Sequence, residues 1–406
     1  MAAALAVCLA SGTASAQTIN WIRQFGTPRS DVAQAVVSGP GGVFVAGRVS
    51  GALPGAIAEG GSDAFVRKYS ASGTELWTRQ FGTPERDTAT AVAADASGIY
   101  VAGSTRGEFP GETTNGLSDG FLRKYSPMGT LLWTHQFGTS AADEVNGVAV
   151  STAGVVVVGN TLGIFDGENP HGLQDGFVLG FDTDGTPAWS NQFGTASSDV
   201  ALAVAADASG IYVSGATPGA FPGRQSSGGK DAFLRKYTAG GSVDWTRQFG
   251  TSANDVASGV AVSSAGVFAT GSTVGVFPHE SAEGGGDAFV RRYGTDGSVG
   301  WTTQFGTNDR DDALAIAAGA DGEEVAGSTL GRFAGESIVG HADAFLQQLT
   351  PSGDLGWVRQ FGSSANDAAT GVTLNSAGTF LSGKTKGELT GQTSSGRSDA
   401  FAARIS

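Results

Sequence analysis

The sequence predicts an all-β, seven-bladed β-propeller with four antiparallel strands in each blade. Three observations carry that prediction. The seven tryptophans, Trp21, Trp77, Trp133, Trp189, Trp245, Trp301 and Trp357, are the chain's whole complement and recur every 56 residues without slippage; a fixed period of this order marks a repeat architecture. Glycine makes up 65 of 406 residues, more than twice the usual share, and its spacing interrupts any stretch long enough for a helix. Each copy also holds four short runs of β-branched, aromatic and small residues separated by turn signals, which is the strand count of one propeller blade.

The second copy shows the strands in order. Residues 88–94 form an Ala- and Val-rich run, the turn DASG leads to IYVAGS at 99–104, residues 120–125 make the third strand, and 132–137 carry Trp133. The small residues of the first run suit the crowded axis of a propeller, while Trp and Phe suit the periphery, where gaps between blades widen. Residues 17–406 are thereby one domain. The chain starts its repeats with an orphan Trp strand at 21–26 and stops after a third strand at 400–405. The expected solution is that the N-terminal strand completes the last blade and leaves no open sheet edge at the seam.

Residues 1–16, MAAALAVCLASGTASA, are an apolar run followed by small polar residues, the pattern of a secretory signal cut after Ala16, although the basic leading segment is missing. This predicts a secreted, periplasmic or cell-surface protein. Cys8 is the single cysteine, so the processed chain would owe nothing to disulfides. No later apolar run approaches the ~18 residues of a membrane helix. A net charge of −14 argues against nucleic acid, which demands a basic stripe to replace phosphate counterions.

The text AVAADASGIYVAGSTRGEFPG at 91–111, echoed at 203–223, resembles the SBBP-type β-propeller repeat of bacterial exported and cell-surface proteins. The resemblance spans essentially all of 17–406. It implies fold and location, and says almost nothing about chemistry.

Strand order sorts the connections between two faces. Turns such as DASG and SPMG share one face, and the long segments, such as TRGEFPGETTNGLS, share the other with turns such as GTPERD at 82–87. Sequence variety concentrates in the long segments, and variable loops on a rigid scaffold are the usual seat of recognition. Arg106, Glu112, His171, Arg224, Lys230, His279 and His341 differ between blades and are the candidate ligand-binding residues. Asp63, Asp119, Asp175, Asp231, Asp287, Asp343 and Asp399 recur on that same face, as does a second series from Asp31 to Asp367. Repetition in every blade favours capping of backbone N–H groups; a Ca²⁺ role is the alternative, although calcium loops cluster several oxygen ligands within a dozen residues. The Gln repeated from Gln24 to Gln360 is expected to satisfy backbone groups between blades. His135, which replaces the Arg of RQFG, reads as a surface residue, and Glu323–Glu324, which replace Ile99–Tyr100 or Val267–Phe268, read as drift at an exposed strand start.

No nucleophile, base and orienting group assemble from this text. The reading is a non-enzymatic binding or scaffold module with no required cofactor, taking an extracellular protein or carbohydrate on the long-loop face. The alternatives are a polysaccharide-acting hydrolase or lyase that uses loop-face carboxylates, and a purely structural surface-layer component.

Overall fold

The computed structural model describes residues 17–406; the expected signal segment lies outside them. Among the described residues are 28 strands and no helix, arranged as seven four-stranded antiparallel sheets. Six blades are continuous in sequence, at 32–81, 87–137, 143–193, 200–249, 255–305 and 311–361. The seventh joins the strands from Asp367 to Ile405 with the N-terminal strand Ile19–Phe25 on its outer edge. There Ile22 pairs with Ala403 and Phe25 with Ala400.

The innermost strands, such as Asp87–Asp95 and Asp143–Ser151, ring a narrow central channel. Each carries a β-bulge near its start, as between Ala89 and Ala91. A bulge leaves one residue outside the ladder and sharpens the local twist, and in three blades the freed side chain reaches the next one. Thr90 donates to the Val145 carbonyl at 2.7 Å, Asn146 to Ala201 at 2.9 Å, and Thr370 to Ala33 across the seam at 2.6 Å.

The hydrophobic core is divided among the gaps between neighbouring blades. In the gap between blades 1 and 2, Phe44, Ala46 and Val66 of one meet Ala89, Ile99, Val101 and Phe121 of the next. Burying each large side chain contributes about 1.5–3 kcal/mol. The tryptophans latch the periphery. Trp21, Trp77, Trp245 and Trp301 donate their indole N–H to a turn carbonyl of the following blade, at Ala71, Pro127, Thr295 and Pro351, over 3.0–3.3 Å. Gly73 of that turn has φ +79° and lies flat on the Trp21 ring, so a Cβ there would meet both left-handed strain and the indole. Trp21 is 9% exposed and the other six are half-buried.

Candidate functional site

The repeated polar residues are consumed inside the fold. In every blade the outer-strand Gln donates to an Asp carboxylate, from Gln24–Asp399 to Gln360–Asp343, over 2.6–2.8 Å. In blade 1 the same Gln80 amide also donates to the Gly51 carbonyl and accepts from the Leu53 N–H. It therefore ties the outer strand to the long segment of its own blade. The expected bridge between blades is corrected. A buried amide needs partners, and the nearest orphan groups belong to the segment that crosses its own sheet.

Both Asp series cap backbone. Asp63 accepts from the N–H groups of Glu59 and Gly60, and Asp87 accepts from Thr83, both N–H and hydroxyl. Asp31, Asp87, Asp143, Asp199, Asp255, Asp311 and Asp367 are 0–2% exposed. Burial pushes each carboxyl above its ordinary range, while the Thr or Ser four residues earlier pulls it back. Among the described residues no three His, Cys, Asp or Glu side chains converge as a metal site.

The variable residues lie around the long-loop side and no hydrogen bond or ion pair joins any two of them. Arg106, His171, Arg224, Lys230, His279 and His341 are exposed. Glu112 is different: its carboxylate accepts the Gln136 N–H at 2.8 Å, and Glu280 does the same for Gln304 at 3.0 Å. Its repeat position thus has a recurring structural task, from which Arg224 of blade 4 departs. His279 has φ +71° where the other copies place glycine, as at Gly111 and Gly335. It is a turn residue in a conformation costly for any side chain.

The expected exposure fails for Glu323 and holds only in part for His135. Glu323 is 1% exposed because its strand, Gly322–Thr329, is the second of its sheet and has a blade on either side. Neither carboxylate oxygen has a hydrogen-bond partner, and burial lifts its pKa to about 7, against a small opposing pull from Arg292. Glu324 faces the other way and accepts the Thr379 hydroxyl of blade 7; burial raises it too. His135 is half-buried between blades 2 and 3, with its ring 6.1 Å from Phe137 and 5.5 Å from Phe181. Burial lowers its pKa, partly offset by Glu112, whose carboxylate lies 3.9 Å away.

His135 opens onto a rim groove of about 710 Å³ lined by Phe137, Phe165, Asp166, Leu179, Trp189 and Ser190. Nothing in the loop comparison pointed to it. The signal was on the third strand, where blade 3 reads VLGF at 178–181 and blades 1, 2 and 4 read VRKY or LRKY.

Comparisons with known proteins agree with this architecture. Residues 76–110 match the model of a family described as the SBBP β-propeller repeat. A stretch of 104 residues is 34% identical to the regulatory protein FlaEY of Caulobacter vibrioides; it makes up 24% of this chain and only 11% of that protein. Among solved structures, the WD40 domain of Neurospora crassa Pan2 superposes with a TM-score of 0.53 at 9% identity, covering 92% of this chain and 89% of that one. Chaetomium thermophilum Sqt1, bound to the N-terminus of ribosomal protein L10, reaches a TM-score of 0.46 at 8% identity, over 94% and 98% of the two chains. At 9% identity the likeness to the Pan2 domain is one of fold alone.

Proposed function

From a seven-bladed β-propeller that matches the SBBP repeat at residues 76–110, we propose that this chain is an exported, non-enzymatic binding or scaffold module that meets a protein or glycan partner on its long-loop side. One observation carries the reading. The Asp and Gln repeated through all seven blades are spent on internal hydrogen bonds, whereas side chains that differ between blades, such as Arg106, Arg224 and Lys230, are exposed on loops of a rigid frame. Residues that differ can give one partner one orientation.

The test is a glycan and peptide array probed with the processed protein, with and without calcium, followed by titration of two variants. Arg224→Ser with Lys230→Ser should weaken binding at an unchanged melting temperature. Asp231→Asn should lower stability and leave affinity nearly intact. Binding abolished in Asp231→Asn at an unchanged melting temperature would overturn the assignment, and a calcium-dependent loss would favour a metal role. A hydrolase would need two solvent-reached carboxylates flanking a glycosidic bond, and the buried, capped Asp pairs do not supply them. Release of reducing ends from a polysaccharide would overturn the non-enzymatic reading.

A further inference from the structure

Four blades show what the gap above an outer-strand Phe is built to hold. The guanidinium of Arg67 lies 4.0 Å from the centre of the Phe25 ring of the preceding blade; Arg123 lies 4.3 Å from Phe81, Arg235 4.6 Å from Phe193 and Arg291 5.0 Å from Phe249. A cation over an aromatic face within about 6 Å is attracted by the ring quadrupole. In three of these blades the Arg Nε also donates to the Thr opposite it across the sheet, at Thr78, Thr134 and Thr246, over 2.7–2.9 Å. The repeat thus contains a formed guanidinium seat, occupied by the chain's own side chain.

In blade 3 the seat has lost its occupant. Leu179 stands at the Arg position and Gly180 at the Lys position, and Ser190 replaces the Thr opposite Leu179. Leucine is too short to span the Phe137 face, and the groove of about 710 Å³ lies there, with Phe137, Phe181, Trp189 and His135 on its walls. The surroundings of the groove hold carboxylates and no cationic side chain of their own. Glu168 accepts the Ser190 hydroxyl at 2.7 Å, Asp166 lines the groove, and from residue 125 to 223 the chain holds neither Lys nor Arg. Lowered by burial, the His135 pKa keeps that ring an uncharged wall at neutral pH.

The other two blades without this Arg do not share the arrangement. Gln347 of blade 6 is 3% exposed and spends its amide on the Gln348 and Trp357 carbonyls. Beside Ala403 of blade 7, the seam groove of about 1000 Å³ is lined by Arg23 and Arg359, so it already holds cations.

We infer that the groove between blades 2 and 3 is a docking site for an arginine side chain presented by a basic protein segment, which takes in trans the seat that Arg67, Arg123, Arg235 and Arg291 fill in cis. The inference rests on the binding-module reading and names the chemistry of its partner. Guanidinium suits the seat better than ammonium because a planar cation stacks on a ring and still donates in its plane to a carboxylate such as Asp166, which lines the groove.

The experiment is calorimetric titration of the processed protein with hexa-arginine, with a hexapeptide carrying citrulline in place of arginine, and with hexa-lysine. Leu179→Arg restores the repeat's own residue and should fill the seat, weakening hexa-arginine at least tenfold. Asp166→Asn, at the exposed carboxylate that lines the groove, should weaken it severalfold and serves where Leu179→Arg does not fold. Ile338→Arg adds the same charge on exposed blade 6 surface and should leave binding unchanged. The citrulline peptide should fail to bind and hexa-lysine should bind more weakly. A folded Leu179→Arg that binds like the wild type would overturn the inference, as would equal binding of the citrulline peptide. So would a neutral oligosaccharide that occupies the groove and is displaced by Leu179→Arg. Failure of hexa-arginine to bind at all refutes this inference alone, whereas polysaccharide turnover refutes the module reading beneath it.

Discussion

Replacing Glu323 by valine should stabilise the protein, and by more at pH 8 than at pH 5. The equivalent residues Val43, Ile99, Val155, Ile211 and Val267 are all 0–2% exposed, so valine fits an apolar slot that the repeat has already shaped. Glu323 brings into that slot a carboxyl whose pKa is lifted from 4.5 to about 7, chiefly by burial. An acid held more tightly protonated in the folded state penalises folding once the solution is basic enough to ionise the unfolded chain. The penalty grows from about pH 4.5, is complete above about pH 7, and amounts to about 3 kcal/mol at one pKa unit per 1.36 kcal/mol. At pH 5 most of it is absent, and the valine gains only what an unpartnered neutral carboxyl costs, about 1–3 kcal/mol. The seven buried Asp whose carboxyls are also raised titrate in both proteins, so the difference between them isolates Glu323. Urea unfolding followed by tryptophan fluorescence at pH 5, 6, 7 and 8 should show the valine advantage widening by about 2–3 kcal/mol across the series. A constant advantage at all four pH values would mean that Glu323 is not carrying the ionisation penalty, and a valine variant less stable than wild type would refute the buried placement itself.

Deleting residues 17–27 removes the strand that pairs with Asp399–Ile405 and should leave that edge open to aggregation; a soluble, monomeric and equally heat-stable deletion variant would count against closure by this strand. Trp77→Ala should cost about 2–4 kcal/mol, towards the lower end for an aromatic truncation because the ring is half-buried, and a loss below about 1 kcal/mol in chemical denaturation would show that its contact with the Pro127–Gly129 turn is not a latch. His279→Gly should raise stability by about 1 kcal/mol, because the residue holds a left-handed turn that glycine adopts without a Cβ penalty; no change in the urea midpoint would remove strain from that position.

The period made the architecture legible, because a tryptophan every 56 residues forces each copy into the same packing problem and the same answer. Strand limits followed closely: the run read at 88–94 extends over Asp87–Asp95, and that at 99–104 over Gly98–Thr105. Direction across the third dimension was harder to read. Gln80 was expected to face a neighbouring blade and instead holds Gly51 and Leu53 of its own, since sequence spacing alone does not say over which sheet a long segment folds back. The same gap hid Glu323. Its place beside a turn suggested solvent, but the second strand of a blade is covered on both faces wherever the turn leads.

Differences between copies are informative only when the residue being replaced has a known job. Glu112 looked distinctive within its loop, yet its hydrogen bond to Gln136 recurs as Glu280 to Gln304, so its presence answers a need of the fold. Leu179 is a hydrophobic residue where the repeat elsewhere carries a cation that the preceding blade's Phe holds, as Phe81 holds Arg123. The loss of a repeated contact leaves behind its receptor, and the receptor keeps the shape and chemistry of what it used to bind. In a closed ring of near-identical blades, then, a vacated contact can be interpreted from its occupied equivalents, whereas an added loop residue has no counterpart to define its partner.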